Sequence, residues 1–207
     1  MIHIAPIYKN APDGLDYPVA AINSYPWDEN GYKPDSYCAL YAVKGKGVYA
    51  RLWSYEVYPR CVCTQRDDPV YTDSCLEFFF MPFEDDDRYI NIEVNRKGVY
   101  LSQIGTCRED RVFIKEVTPL VPIITAKDFK HTLERGWGVE IILPEAFISA
   151  VYGKEFRLCE RKVRCNFYKC GDETEKPHYG SRFPVKTEKP DFHRPEFFGE
   201  ITLYEKE

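Results

Sequence analysis

The chain lacks any run of 18 consecutive apolar residues. Its most apolar stretches, such as LEFFFMPF at Leu76–Phe83, are short and broken by proline or charge, which excludes a membrane-spanning helix. It also lacks an excess of positive charge. Lys and Arg number 28 against 33 Asp and Glu, a net −5, the wrong sign for gripping a phosphate backbone, so nucleic acid is set aside as a partner. The amino-terminal MIHIAPIYKNAPDG has no basic segment followed by an apolar core and a small-residue cleavage site, so a reducing, cytoplasmic setting is expected. Phosphate-cradling loops are missing, as are G-x-S-x-G, H-E-x-x-H and the EF-hand spacing, which removes support for nucleotide chemistry and for the commonest hydrolase signatures.

What is present is aromatic. Three Trp, 16 Tyr and 13 Phe occur in 207 residues, and tyrosine, half of that set, joins a flat apolar face to a polar tip suited to recognition. The length fits one domain, residues 1–207, large enough to bury a core without disulfide or metal staples. The eight cysteines, Cys38, Cys61, Cys63, Cys75, Cys107, Cys159, Cys165 and Cys170, read mostly as small buried hydrophobes. A zinc site from Cys61, Cys63, Cys165, Cys170 and His178 would need C-x-C plus C-x4-C spacing, which fits structural zinc poorly. The acidic run Asp85, Asp86 and Asp87 reads as a solvated turn, with a cation seat as the sharper alternative.

The dominant period is two. Gly47–Glu56 alternates Val48, Ala50 and Leu52 with Tyr49, Arg51, Trp53 and Tyr55, and Arg88–Asn95 sets Ile90, Ile92 and Val94 against Tyr89, Asn91, Glu93 and Asn95, the pattern of strands with a core face. Further strands are expected in SYCALYAV, SCLEFFFM, VYLSQIG, RVFIKEV, WGVEIIL, EFRLCE, VRCNFYK and GEITLYE. One short helix is expected over Pro144–Tyr152, with Pro144 at its first position, Glu145 in its first turn and Gly153 closing it. The expectation is therefore an all-β chain: a β-sandwich of two antiparallel sheets with one short helix and a long carboxy-terminal loop over Gly171–Pro195.

Within Cys165–Ile201, residues such as Asn166, Lys169, Asp172, His178, Tyr179, Phe192 and His193 mix hydrogen-bonding ends with flat rings. Polyhydroxylated ligands need that mixture, because a sugar ring offers an apolar C–H face while its hydroxyls donate and accept. Glu77 and Glu93, on strand faces that also carry polar groups, are candidates for the paired carboxylates of a glycoside-acting enzyme.

The succession PVYTDSCLEFFFMP (Pro69–Pro82), YINIEVNRKGVYL (Tyr89–Leu101), WGVEIILP (Trp137–Pro144), CNFYKCGD (Cys165–Asp172) and PDFHRPEFFGEI (Pro190–Ile201), with SYPWDENGYKP (Ser24–Pro34) before it, resembles the family 9-like carbohydrate-binding modules in order and spacing. The resemblance covers nearly the whole chain. It implies a DOMON-like β-sandwich standing alone, non-catalytic binding of a mono- or oligosaccharide in carbohydrate catabolism, and structural calcium. Carried over by position, it implies that Trp27 and Tyr71 stack on a sugar ring, that Glu77 grips hydroxyls, and that Arg108 or Arg111 and Asn166 add hydrogen bonds. Lys169, Asp172, His178 and His193 are expected to support the long loop or line the site. Two departures from the family pattern stand out, Tyr71 where tryptophan is common and Arg182–Phe183 where Ser-Trp is usual.

Overall fold

The computed structural model describes residues 3–12, 16–57, 59–130 and 135–206. Alternating side chains and Gly, Pro and Asp turns produce thirteen strands: β1 (Ile4–Tyr8), β2 (Val19–Ala21), β3 (Ser36–Val43), β4 (Gly47–Glu56), β5 (Cys75–Met81), β6 (Tyr89–Asn95), β7 (Tyr100–Gly105), β8 (Val112–Phe113), β9 (Ile123–Lys130), β10 (Arg135–Pro144), β11 (Arg161–Gly171), β12 (His178–Ser181) and β13 (Gly199–Glu205). Among the described residues two α-helices interrupt them, α1 (Ile114–Val117) and α2 (Glu145–Tyr152). The ladder runs β8-β7-β6-β5-β11-β13-β1-β3-β4-β10-β9, with β12 added to β11 and β2 to β3.

This is an all-β sandwich, as expected, with one refinement. The two layers are arms of one continuous sheet, and the join is β1, which runs parallel to both β13 and β3. Folding the arms over each other encloses a single large core in which Leu40, Leu52 and Ile141 of one arm share a cluster with Phe78, Ile92 and Phe167 of the other. Trp137 lies in the same cluster, fully buried, as its parity with Val139 and Ile141 predicts. Burying such side chains supplies about 1.5–3 kcal/mol each, and this is the main force closing the sandwich.

The second face of β5, β6 and β11 is covered too. Every residue of β6 is buried, because Val185, Phe192 and Phe198 of the carboxy-terminal segment pack on Phe79, Tyr89 and Tyr168. Phe192 stacks on Tyr168 with ring centroids 4.1 Å apart. That segment is a strap across the outer face, and it matters below.

The helix ending at Tyr152 forms as read, except that Pro144 is its cap rather than its first residue, and Gly153 closes it at φ 68, a left-handed geometry glycine adopts without strain. Three local expectations change. RVFIKEV yields only the two residues of β8 before turning into α1. EFRLCE is extended but unpaired, because Phe156 drops into the core with no neighbouring strand to ladder with. The long loop contains β12, which pairs with β11 from Tyr168 to Gly171.

Candidate functional site

The outer face of the β7-β6-β5-β11 arm holds a pocket of about 590 Å³. Its floor follows from strand alternation. Glu77 of β5 lies directly across from Glu93 of β6, with Tyr168 of β11 on its other side, and Leu101 and Gln103 of β7 share the face because they keep the same parity. Both glutamates are 2% exposed. Burial, and then each other's charge, raises the Glu77 carboxyl well above the usual carboxylate range. Burial likewise lifts Glu93 to about 7, against the pull of Arg111.

Loops make the walls. Tyr71 sits on a short 3-10 turn, Val70–Thr72, and the backbone N–H of Asp172 donates to the Tyr71 carbonyl at 3.1 Å, tying two rim residues together. The turn is anchored by Asp73, whose fully buried carboxylate accepts from the N–H groups of Val62 (2.8 Å) and Cys63 (2.9 Å), from Asn95 Nδ2 (3.0 Å) and from Arg60 Nη1 (2.6 Å). Burial opposes ionisation there, but those donors together hold the Asp73 carboxyl below its ordinary value. Burial raises Asp172 to about 6.

Arg108 and Arg111 come from the loop after β7. Asp110 closes that loop by accepting from the backbone N–H groups of Thr106 (2.8 Å) and Cys107 (3.0 Å). The loop packs so tightly that a Cβ added to Gly105 would lie 2.5 Å from Asp110 Oδ1 and 2.8 Å from Arg111 Cα, so glycine is needed for the close approach. Arg108 donates to Asp191 of the strap at 2.8 and 3.1 Å, and Arg111 donates to Gln103 Oε1 at 2.7 Å. The strap also brings His193, whose Nδ1 is 2.8 Å from the Tyr89 hydroxyl. Burial, helped by Arg111 and Arg108, pushes its pKa down to about 2, so the ring is neutral at physiological pH.

Six of the ten residues singled out in the sequence therefore line this pocket: Tyr71, Glu77, Arg108, Arg111, Asp172 and His193. The other four lie elsewhere. The Trp27 indole N–H donates to the Thr187 carbonyl at 2.8 Å, and its ring packs 5.9 Å from Phe192 and 6.5 Å from Tyr179, so it braces the strap without lining the pocket. Asn166 uses both ends of its amide, at 2.9 Å each, on the backbone of Phe183. Lys169 is on the core side of β11, fully buried, with its ammonium 3.2 Å from Glu56 and 2.8 Å from His178 Nε2. His178 completes that buried network, and burial followed by the Lys169 charge lowers it to about 3. Tyr179 and Phe192, read in the sequence as ring-bearing candidates, line the pocket, and so do Gln103 and Phe113, which were not singled out. Parity with Leu101 was the available signal for Gln103.

Among the described residues one group of potential metal ligands converges, Cys75, Glu77 and Cys170, with donor atoms within 4.8 Å of one another. Two thiols and one carboxylate do not fit calcium, which takes six to eight oxygens. The acidic run does not fit it either, since Asp85 and Asp86 are held by Lys154 and Asp86 also by Arg88. The sequence-level zinc set is likewise dispersed, with Cys165 in the central core and Cys170 on the opposite face of the sheet.

Fold and pocket together define a class: a β-sandwich that presents a polar, aromatic-lined pocket on the outer face of one layer. The family model "Carbohydrate-binding family 9" matches residues 11–203, and the chain belongs to that family. It is similar to a solved Bacteroides uniformis protein provisionally described as carbohydrate-binding, with 27% identity, TM-score 0.78 and 97% of each chain covered. Two solved structures of a family 9 module from Caldicellulosiruptor kristjanssonii share the fold. The one in complex with cellotriose has 11% identity, TM-score 0.61 and coverage of 99% of this chain and 94% of that one. The one in complex with glucose has 13% identity, TM-score 0.61 and coverage of 99% and 96%. No curated protein sequence matches this chain significantly.

Proposed function

We propose that the pocket on the β7-β6-β5-β11 face binds a mono- or oligosaccharide and performs no chemistry on it. The observation that carries this reading is the meeting, in one pocket of a family 9 chain, of aromatic rings from Tyr71, Tyr179, Phe113 and Phe192 with the hydrogen-bonding ends of Glu77, Glu93, Gln103, Arg111 and Asp172. Rings cover the apolar face of a sugar, and acids, amide and guanidinium take its hydroxyls.

Glu77 and Glu93 argue for binding over hydrolysis. Glycosidases place their two carboxyl groups on either side of the scissile bond, whereas these two stand side by side on one floor, across a strand ladder. Both therefore meet the same side of a bound ring.

The test is calorimetric titration with glucose, cellotriose and other saccharides, each sample being assayed afterwards for released product. Tyr71→Ala should weaken binding roughly tenfold, the equivalent of about 1–2 kcal/mol of lost ring contact, while Trp27→Phe should leave affinity within about twofold. Affinity untouched by both Tyr71→Ala and Glu77→Gln would place the site elsewhere, and product formation would refute the non-catalytic reading.

A further inference from the structure

The buried side-chain atoms of the pocket floor that have no hydrogen-bond partner are of one kind, acceptors. Glu93 Oε1 accepts from Asn91 Nδ2 at 3.0 Å. Its Oε2 is buried and has no hydrogen-bond partner, and neither has the buried Oδ1 of Asn91 behind it. Beside Glu93 stands Glu77, whose Oε1 takes the Cys170 thiol at 2.8 Å. The cations lining the pocket are already engaged, Arg108 on Asp191 and Arg111 on Gln103 and on the Arg108 carbonyl. What is missing is a donor, at a place where two carboxyl groups are held together out of water.

A neutral sugar hydroxyl supplies one donor there, but it does nothing to let the two adjacent carboxyls ionise. A uronate brings a third carboxylate to the same spot. An ammonium group carries three donors and no acceptor, and its charge lets two adjacent buried carboxyls ionise together. We propose that the saccharide recognised by this pocket is an amino sugar whose free, protonated amino group sits against Glu93 Oε2 between Glu93 and Glu77. This rests on the reading of the pocket as a saccharide site. The charged or titratable groups around the pair include the cations Arg108 and Arg111, the acid Asp172, the thiols Cys75 and Cys170, and His193 and Tyr168, with Asp67, Asp191, Tyr71 and Tyr179 farther round the pocket. Both arginines already have partners.

The experiment titrates the full chain at pH 7 with glucosamine, glucose, N-acetylglucosamine and glucuronic acid, then repeats the series with Glu93→Gln. A charge-assisted hydrogen bond to a buried acid should make glucosamine bind about 10-fold to 100-fold more tightly than glucose or N-acetylglucosamine. Glu93→Gln should erase that preference, so that the variant binds glucosamine no more tightly than it binds glucose. Circular dichroism of the variant shows that the sandwich is intact. Equal binding of glucosamine and glucose, tightest binding of glucuronic acid, or a preference that survives Glu93→Gln would each overturn the inference, with the pocket still a saccharide site. Failure of all four sugars to bind would overturn both.

Discussion

Replacing Glu93 by Gln should stabilise the protein at neutral and alkaline pH and leave it almost unchanged in acid. In the fold, burial holds the Glu93 carboxyl at about 7, against 4.5 as its ordinary value, and Glu77 is displaced in the same direction. Between those two pH values the folded chain keeps a proton that the unfolded chain has released. The contribution of Glu93 is therefore fully present below about 4.5, declines as pH rises, and is gone once pH has passed about 7. A displacement of that size at Glu93 alone corresponds to about 3 kcal/mol, at roughly 1.4 kcal/mol per pH unit. Glu93→Gln removes the titration, keeps an acceptor for Asn91, and offers an amide donor toward Glu77. For a chain of this length about 2–4 °C accompanies each kcal/mol, so the gap in melting temperature between variant and parent should widen by roughly 10 °C from pH 4.5 to pH 8. Thermal and urea unfolding of both proteins across that range measure it. Parallel pH profiles would refute the reasoning, because they would mean the Glu93 carboxyl ionises as easily in the fold as in the open chain.

Asp73→Ala strips a buried carboxylate from four donors and should destabilise the fold by about 3–5 kcal/mol in urea unfolding at pH 7. Because Asp73 is held below its ordinary 3.8, its contribution is present above that pH and is lost as pH falls through the folded value, so parent and variant should converge in acid; a constant gap would argue against an ionised Asp73. Lys169→Met leaves the buried Glu56 carboxylate without its cation and should also lose about 3–5 kcal/mol. Its saccharide affinity should be unaffected, since Lys169 faces the core side of β11, and loss of binding by a folded variant would contradict that placement.

How much of this could be read from residues alone depends on what kind of information each feature needs. β3, β4 and β13 have the limits their alternation suggests, because a period of two bounded by Gly or Asp turns is a local signal. β1 escaped notice because Pro6 reads as a strand breaker. It is tolerated because β1 meets β13 along Ile4–Ile7 but reaches β3 only at Ile7 and Tyr8, so the missing N–H falls where the ladder is sparse. EFRLCE misled because extended chain alternates whether or not a partner strand lies alongside. For the site, Lys169 was legible in principle: it alternates with Tyr168 and Cys170 and so faces the core with Phe167. Trp27 was not, since nothing local separates a tryptophan that lines a pocket from one that braces a strap. The resemblance to family 9 supplied the region of the pocket, while which side chains face it was decided by long-range packing.

The position of β11 governs how the molecule comes into being. It is inserted between β5, made far earlier in synthesis, and β13, made after it, and the strap that completes the pocket with Asp191 and His193 emerges only just before β13. Pairings between such distant segments are slow to form. Until they do, one edge of Cys75–Met81, with three consecutive phenylalanines, stays open on the nascent chain, a site for adventitious strand pairing. Chains cut short before β11 should therefore aggregate, and ligand binding should be acquired only after the strap and β13 have been made.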